Sequence, residues 1–183
     1  LPDTDLRRVV GSHRELLVCV PSHAFRATLA AVRRDLKPGT RLAWATKGFE
    51  HSTGRLPHEV AAEELGTGVP VAVLSGPTFA REVAAGLPTA MTVAASEPAY
   101  AVALAARLSD RTFRAYTSED MIGVEVGGAV KNVLAIGAGI SDGLGFGANT
   151  RIALITRGLV EMTGLGIALG ARATPFMRLA GKG

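Results

Sequence analysis

Short apolar runs alternate with helical patterns along much of this chain, and this order limits the folds that it can adopt. Residues 16–20 are continuously apolar and are followed by Pro21, which is typical of a strand buried on both faces. A helical repeat of apolar residues follows over residues 22–36, with Ser22 placed as its N-cap. Because strands and helices alternate, we predict parallel strands joined by right-handed crossovers.

The same alternation continues to residue 116. We predict further strands at residues 42–45, 71–74, 89–94 and 112–116, and helices that begin at Leu56, at residue 78 and at Ser96. These elements predict an α/β fold, which binds its ligand at the carboxyl ends of its strands.

From Ser118 onward the sequence contains only helical signals. We predict a long helix with Ser118 as its N-cap, a glycine-rich break at residues 143–147, a second long helix over residues 149–169, and a third that begins at Thr174. The change from alternating elements to helices alone indicates a domain boundary near residues 116–118. The most apolar stretch, residues 121–146, carries three charged residues, so we expect a buried helix and no membrane span.

The composition excludes several classes of protein. The chain has 183 residues, of which 48% are hydrophobic, so it can bury a globular core. Its basic residues are scattered and only 5% of residues are aromatic, which argues against a nucleic-acid partner. Cys19 is the single cysteine, so no internal disulfide can form, and no Cys/His cluster has the spacing of a zinc site. Residues 1–5 lack the pattern of a signal peptide, and we expect a cytoplasmic protein without a metal.

Lysine is rare among the basic residues. Sixteen of the 20 are arginine, and the four lysines are Lys37, Lys47, Lys131 and Lys182. Of the two residue types, only lysine can lose its proton near neutral pH. The positions that keep lysine are therefore candidates for proton chemistry.

Three loops with polar and glycine residues follow the first three predicted strands. They are Pro21-Ser22, Thr46-Lys47-Gly48 and Ser75-Gly76-Pro77-Thr78. In a doubly wound sheet they share one edge, where glycine lets a ligand approach the backbone closely. Each loop taken alone also fits an ordinary strand-to-helix turn with a capping residue. The three together favour a binding edge.

Lys131 lies within a run of small residues in the long predicted helix. Gly127, Gly128, Ala129 and Ala135 surround it, so another backbone or a ligand can approach the lysine closely. Desolvation lowers the pKa of a lysine and suits it to act as a general base or acid. Spacing alone gives equal weight to this role and to a structural alternative, in which Lys131 pairs with Glu125 or Asp142 or extends its ammonium to solvent.

A longer motif surrounds this lysine. Residues 128–149, GAVKNVLAIGAGISDGLGFGAN, resemble the signature of the NAD(P)-dependent glycerol-3-phosphate dehydrogenases, bacterial type. Residues 20–23, 45–48, 74–80 and 149–151 are similar to the same family. A match of this length is far more specific than a short glycine motif.

The resemblance implies a reversible hydride transfer between sn-glycerol 3-phosphate and NAD or NADP, which gives dihydroxyacetone phosphate and serves phospholipid synthesis. It implies that Lys131 is the catalytic acid and base. Substrate-binding positions implied by the family are Lys47, Gly76, Thr78, Lys131 and Asn132, and cofactor-binding positions are Pro21, Ser22, Lys47 and Ala80. For Pro21 and Ser22, structural capping is an equal alternative.

The resemblance also implies a partial Rossmann-like dinucleotide-binding domain over residues 1–116 and the start of an all-α substrate domain over residues 117–183. No Gly-x-Gly-x-x-Gly turn precedes the first strand, and the family continues beyond residue 183 to an Arg-Asn pair that grips phosphate. We therefore expect a central fragment that is inactive and prone to self-association by itself, and a homodimer is possible. Lys182 has no expected catalytic role. The alternatives are an inactive folding or interaction module and a related two-domain hydroxyacid dehydrogenase.

Overall fold

The computed structural model describes residues 3–172. Five strands are present there: β1 (Glu15–Val18), β2 (Arg41–Trp44), β3 (Val71–Ser75), β4 (Thr89–Ala95) and β5 (Phe113–Ser118). The helices of the same residues are α1 (Leu6–Ser12), α2 (Ser22–Val32), α3 (Pro57–Leu65), α4 (Ala80–Ala84), α5 (Pro98–Leu108), α6 (Met121–Gly143) and α7 (Ala148–Ala168). Every predicted strand and helix up to residue 169 is confirmed. The predicted third long helix from Thr174 lies outside the described residues, as does Lys182.

The strands form one sheet in the order β1-β2-β3-β4-β5. The first three are parallel, and β4 is parallel to β5, but β3 and β4 are antiparallel, with Ser75 opposite Thr92. The prediction of an all-parallel sheet was wrong at this point. A parallel connection needs a crossover that runs back along the sheet, and α4 has only five residues. The beginning of β4 therefore lies at the same edge as the carboxyl ends of β1, β2 and β3.

Both faces of the sheet are covered. On one face, α2 and α3 pack on β2, where Phe25 and Trp44 meet edge to face with their ring centroids 5.4 Å apart. On the other face, α5 places Tyr100 and Ala101 against the strands. These contacts hold the carboxyl edge of β1 to β3 on a packed core.

Neither of the two predicted N-caps, Ser22 and Ser118, occupies that position in the structure. Ser22 is the first residue of α2 rather than its N-cap, and Pro21 occupies the cap without a side-chain hydrogen bond. Ser118 still pairs with β4 as the last residue of β5, so it cannot cap α6. Asp120 caps that helix, and its carboxylate accepts from the backbone N–H of Gly123 at 2.8 Å.

The long helix α6 leaves the sheet domain along its own length. Residues 123–128 are buried, whereas the side chains of Val133, Ile136 and Ile140 are exposed. The predicted buried helix is thus buried only in its first part. By length and composition alone, Met121–Gly143 is apolar enough to cross a membrane. In the structure, 33% of its most apolar 18-residue stretch is buried. The buried Glu125 carboxylate in that part is held by hydrogen bonds, as in the core helix of a globular domain.

The two long helices pack against each other, and Val126 of α6 shares a small core with Met162 of α7 and Leu56. Several large apolar side chains of this helix pair and of the loop between the two helices are exposed. They include Ile136, Ile140, Leu144, Phe146, Ile152, Val160 and Ile167. They form exposed apolar surface in the described part of the chain.

Candidate active site

The loops after β1 and β2 are joined at the carboxyl edge of the sheet. The Thr46 hydroxyl donates to the backbone carbonyl of Val20 at 2.7 Å. Gly48 has a φ of 101°, a conformation that favours glycine, and a Cβ there would lie 3.8 Å from Ser22 Oγ. The predicted convergence of Pro21-Ser22 with the Lys47 loop is therefore present.

Two lysines from distant parts of the chain meet at one backbone oxygen. The Nζ atom of Lys47, after β2, lies 3.3 Å from the carbonyl oxygen of Gly76, and the Nζ atom of Lys131, on α6, lies 3.2 Å from it. The backbone N–H of Thr78 donates to the same oxygen at 3.0 Å. A carbonyl offers two lone pairs to these three donors. The ammonium groups can therefore pass their hydrogen bonds to an oxygen of a bound ligand at low cost.

Glycines allow this meeting of α6 with β3. A Cβ at Gly128 would lie 2.5 Å from Ser75 Oγ and 3.8 Å from Lys47 Cγ. A Cβ at Gly76 would lie 2.6 Å from the carbonyl oxygen of Ala90. Both distances are shorter than van der Waals contact, so a larger residue would force the elements apart. The small residues before Lys131 thus bring its helix against the edge of the sheet.

The electrostatic surroundings of Lys131 favour its neutral form. Burial among the packed elements lowers the pKa of Lys131 below that of a free lysine, and the positive charge of Lys47 lowers it further. Of these two causes, desolvation is the one that the small residues around Lys131 predicted. A lowered pKa brings the amine closer to the range in which it can accept and return a proton during a reaction.

The two alternatives raised for Lys131 do not describe its contacts. Glu125 is hydrogen-bonded to Trp44 and His58 instead. Asp142 pairs with Arg151 at 3.3 Å. Within residues 3–172, Lys131 forms no ion pair, and its ammonium contacts a backbone carbonyl rather than extending to solvent alone.

The other predicted residues lie at or near this edge. Thr78 approaches Gly76 through its backbone N–H. Ala80 is the first residue of α4 and is exposed, and Asn132 is exposed beside Lys131 without a side-chain hydrogen bond in the described residues. A metal-binding group of three or more His, Cys, Asp or Glu side chains does not occur between residues 3 and 172.

Sequence reasoning missed one polar cluster beside the lysines. Glu125 was considered only as an ion-pair partner of Lys131, and His58 was not considered. A signal was present, because a buried tryptophan needs an acceptor for its N–H and Trp44 is the single tryptophan. The identity of the acceptor depends on how α6 crosses the sheet, which local patterns do not encode.

The fold and the site define a class of protein. A largely parallel sheet covered by helices on both faces, with polar loops at its carboxyl edge and long helices after it, is a Rossmann-like domain followed by a helical domain. The family model described as NAD-dependent glycerol-3-phosphate dehydrogenase N-terminus matches residues 1–101, and the corresponding C-terminus model matches residues 120–183. The chain belongs to the NAD-dependent glycerol-3-phosphate dehydrogenase family.

Individual relatives agree with this assignment. The chain is 56% identical to glycerol-3-phosphate dehydrogenase [NAD(P)+] of Pseudoalteromonas translucida, over 100% of this chain and 56% of that protein. It is 59% identical to the enzyme of the same name from Aeromonas hydrophila, over 98% of this chain and 54% of that protein. The crystal structure of glycerol-3-phosphate dehydrogenase from Coxiella burnetii superposes with a TM-score of 0.88 at 46% identity, over 95% of this chain and 53% of that chain. The chain spans about half the length of the relatives that it matches.

Proposed function

We propose that the complete protein carrying this chain interconverts sn-glycerol 3-phosphate and dihydroxyacetone phosphate with NAD or NADP, and so serves glycerophospholipid synthesis. The observation that carries this proposal is the meeting of Lys47 and Lys131 at the Gly76 carbonyl, together with the lowered pKa of Lys131. One amine that can accept a proton beside a second ammonium that stabilises the reacting oxygen is an arrangement suited to oxidation of an alcohol. The family membership of the chain supports the choice of substrate.

In this proposal, Lys131 takes the proton of the C2 hydroxyl during alcohol oxidation and returns it to the oxygen during ketone reduction. The nicotinamide ring of NAD or NADP, when bound, supplies the hydride chemistry at C2. Lys47 donates a hydrogen bond to the reacting oxygen or to the substrate phosphate and stabilises its negative charge. Gly76, Thr78 and Asn132 complete the substrate site, with the Gly76 oxygen holding both ammonium groups in place before substrate arrives.

The carboxyl edge suits a dinucleotide. The first turn of α2 begins at Ser22 without a side-chain cap, and its Ala24 N–H donates to the Pro21 carbonyl, so the N–H groups of Ser22 and His23 are the ones available to an anion. Gly48, with its positive φ, leaves the backbone beside Ser22 open to close approach. We assign Pro21, Ser22, Lys47 and Ala80 to cofactor binding on this basis.

The domain boundary belongs to the same proposal. Residues 1–116 form the later part of the dinucleotide-binding domain, and residues 117–183 form the beginning of the helical substrate domain. The site takes Lys47 from the first part and Lys131 from the second, so neither part alone is complete. We expect the isolated chain to be inactive, and we expect the exposed apolar face of α6 and α7 to be covered in the complete protein, by its own helices or by a second copy in a homodimer.

The test is the reduction of dihydroxyacetone phosphate by the complete protein with NADH and with NADPH. Lys131→Ala should lower kcat by ~10²-fold or more, the usual contribution of a general acid or base, and Lys131→Arg should not restore it. Lys37→Ala, at an exposed lysine remote from these contacts, is the matched control. A kcat for Lys131→Ala within a few fold of the wild type would contradict the assigned base. Turnover of ketopantoate or 6-phosphogluconate instead would identify a related dehydrogenase, and no turnover of any of them would favour a non-catalytic module.

A further inference from the structure

A buried carboxylate joins the two elements that carry the lysines. The Glu125 side chain on α6 is 1% exposed. It accepts hydrogen bonds from the indole Nε1 of Trp44 at 3.2 Å, from the backbone N–H of His58 at 3.0 Å and from His58 Nδ1 at 2.6 Å. Trp44 ends β2, and His58 lies in the first turn of α3. One carboxylate thus connects a strand and two helices.

This connection is costly to break. A buried carboxylate without partners is strongly destabilising, so Glu125 constrains α6 to the one placement in which all three donors reach it. Burial raises the pKa of the Glu125 carboxyl, and the hydrogen bonds from His58 and Trp44 oppose this in part. Burial also lowers the pKa of His58, but its bond to Glu125 and the charges of Glu125 and Glu59 together raise it. The raised pKa values of Glu125 and His58 therefore both favour a proton shared between the carboxylate and His58 Nδ1.

The residues joined by the Glu125 hydrogen bonds lie close in sequence to both lysines. Trp44 is three residues before Lys47, and Glu125 is six residues before Lys131, which is about 9 Å along an α-helix. A helix is stiff over this distance, so a shift or rotation of α6 at Glu125 moves Lys131 by a similar amount. The carboxylate fixes α6 to the strand from whose end Lys47 extends.

We propose that Glu125 is a positioning residue, which fixes α6 to Trp44 and to the first turn of α3 and thereby sets Lys131 opposite Lys47 at Gly76. The inference rests on the proposed function for its catalytic consequence. The geometric consequence, a particular environment of the Lys131 amine, can be measured without any turnover.

The decisive variants differ in hydrogen bonding rather than in size. Glu125→Gln keeps an acceptor for the indole and backbone N–H groups, whereas Glu125→Leu removes every acceptor and leaves both donors unpaired. Val60→Ala truncates a buried side chain of α3 that belongs to the same core cluster as Trp44 and removes no hydrogen-bonding group, so it is the control for a general loss of stability. All variants are made in the complete protein.

Two readouts separate positioning from stability. Reductive methylation with ¹³C-formaldehyde followed by NMR gives the pKa of each lysine, and the signal absent in Lys131→Ala identifies Lys131. We expect Glu125→Leu to raise the pKa of Lys131 toward that of a free lysine, since a displaced amine is better solvated and farther from Lys47. Glu125→Gln and Val60→Ala should leave it unchanged. In turnover, Glu125→Leu should lower kcat at least tenfold with KM within threefold and should shift the pH profile of kcat, and Glu125→Gln should recover most of the rate.

The outcomes distinguish this inference from the proposed function. A changed Lys131 pKa in Glu125→Leu of a protein that never reduces dihydroxyacetone phosphate supports the positioning role and contradicts the proposed function. An unchanged Lys131 pKa and pH profile, in an active protein, overturns the positioning role and leaves the proposed function intact. A Val60→Ala variant that shifts the Lys131 pKa as much as Glu125→Leu also overturns the inference, because the effect is then one of stability alone.

Discussion

The close approach of α6 to β3 gives a quantitative test of how the lysine site is assembled. In Gly128→Ala the new methyl group would lie 2.5 Å from Ser75 Oγ, but 3.6 Å from Ser75 Cβ and 3.8 Å from Lys47 Cγ. The last two are ordinary contacts, so the whole overlap comes from a single hydroxyl oxygen. Removal of that oxygen in Ser75→Ala should therefore relieve the overlap completely.

The magnitudes follow from two opposing effects. Alanine in place of glycine in a helix interior stabilises by about 1 kcal/mol, and overpacking in a tight contact costs about 1–3 kcal/mol. Gly128→Ala should lower the free energy of unfolding by about 1 kcal/mol in the native background and raise it by about 1 kcal/mol in the Ser75→Ala background. The coupling between the two positions is then about 2 kcal/mol, within the usual range for contacting residues.

The assay is a double-mutant cycle by urea denaturation of the complete protein, with all four proteins compared at the same pH. Additive effects, within about 0.3 kcal/mol, would refute the reasoning, because Ser75 would then have moved its hydroxyl aside without cost. A kcat restored in the double variant would further connect this contact with Lys131.

Two further predictions concern pH and association. The pKa of His58 is raised above 6.5 in the folded chain, so its stabilising contribution is fully present below pH 6.5 and is lost as the pH rises through the folded value. Unfolding measured at several pH values should show this loss in the wild type, and His58→Gln should remove that part of the pH dependence; an unaltered profile would contradict the assignment. The isolated chain should self-associate through its exposed apolar helices, and Ile136→Lys with Ile140→Lys should shift it toward monomer in sedimentation velocity. A monomeric wild-type chain at high concentration would contradict this.

Local sequence patterns were sufficient to predict most of the strands and helices. Continuous apolar runs predicted β1, β2 and β3, and the segment Ser96-Glu97-Pro98 predicted α5, which begins at Pro98. The direction of β4 was not predictable in this way, because its own residues read equally well in either direction. The short connection through α4, which has only five residues, decided the direction.

The N-caps of α2 and α6 show a second limit of prediction from local sequence. Serine was a reasonable N-cap at residues 22 and 118, but Ser118 remained in the strand ladder and the next polar side chain, Asp120, took the cap. Strand pairing with β4 is a tertiary contact, and it outweighed the local preference of serine.

In the candidate site, too, the sequence determined some features and the tertiary structure determined others. The sequence by itself determined which residues could do the chemistry: few lysines, one of them among glycines, in a segment that resembles a known signature. It also determined the family, because that resemblance rests on the order of residues alone. Only the tertiary structure decided two other features: the meeting of Lys47 and Lys131 at the Gly76 oxygen, and the hydrogen bond from Trp44 to Glu125. These contacts join residues that are 29 to 81 positions apart: Lys47 and Gly76 by 29, Lys131 and Gly76 by 55, and Trp44 and Glu125 by 81. The shared Gly76 oxygen also brings together Lys47 and Lys131, which are 84 positions apart. Such distances are closed by the packing of α6 across the ends of the strands, and no local pattern encodes that packing.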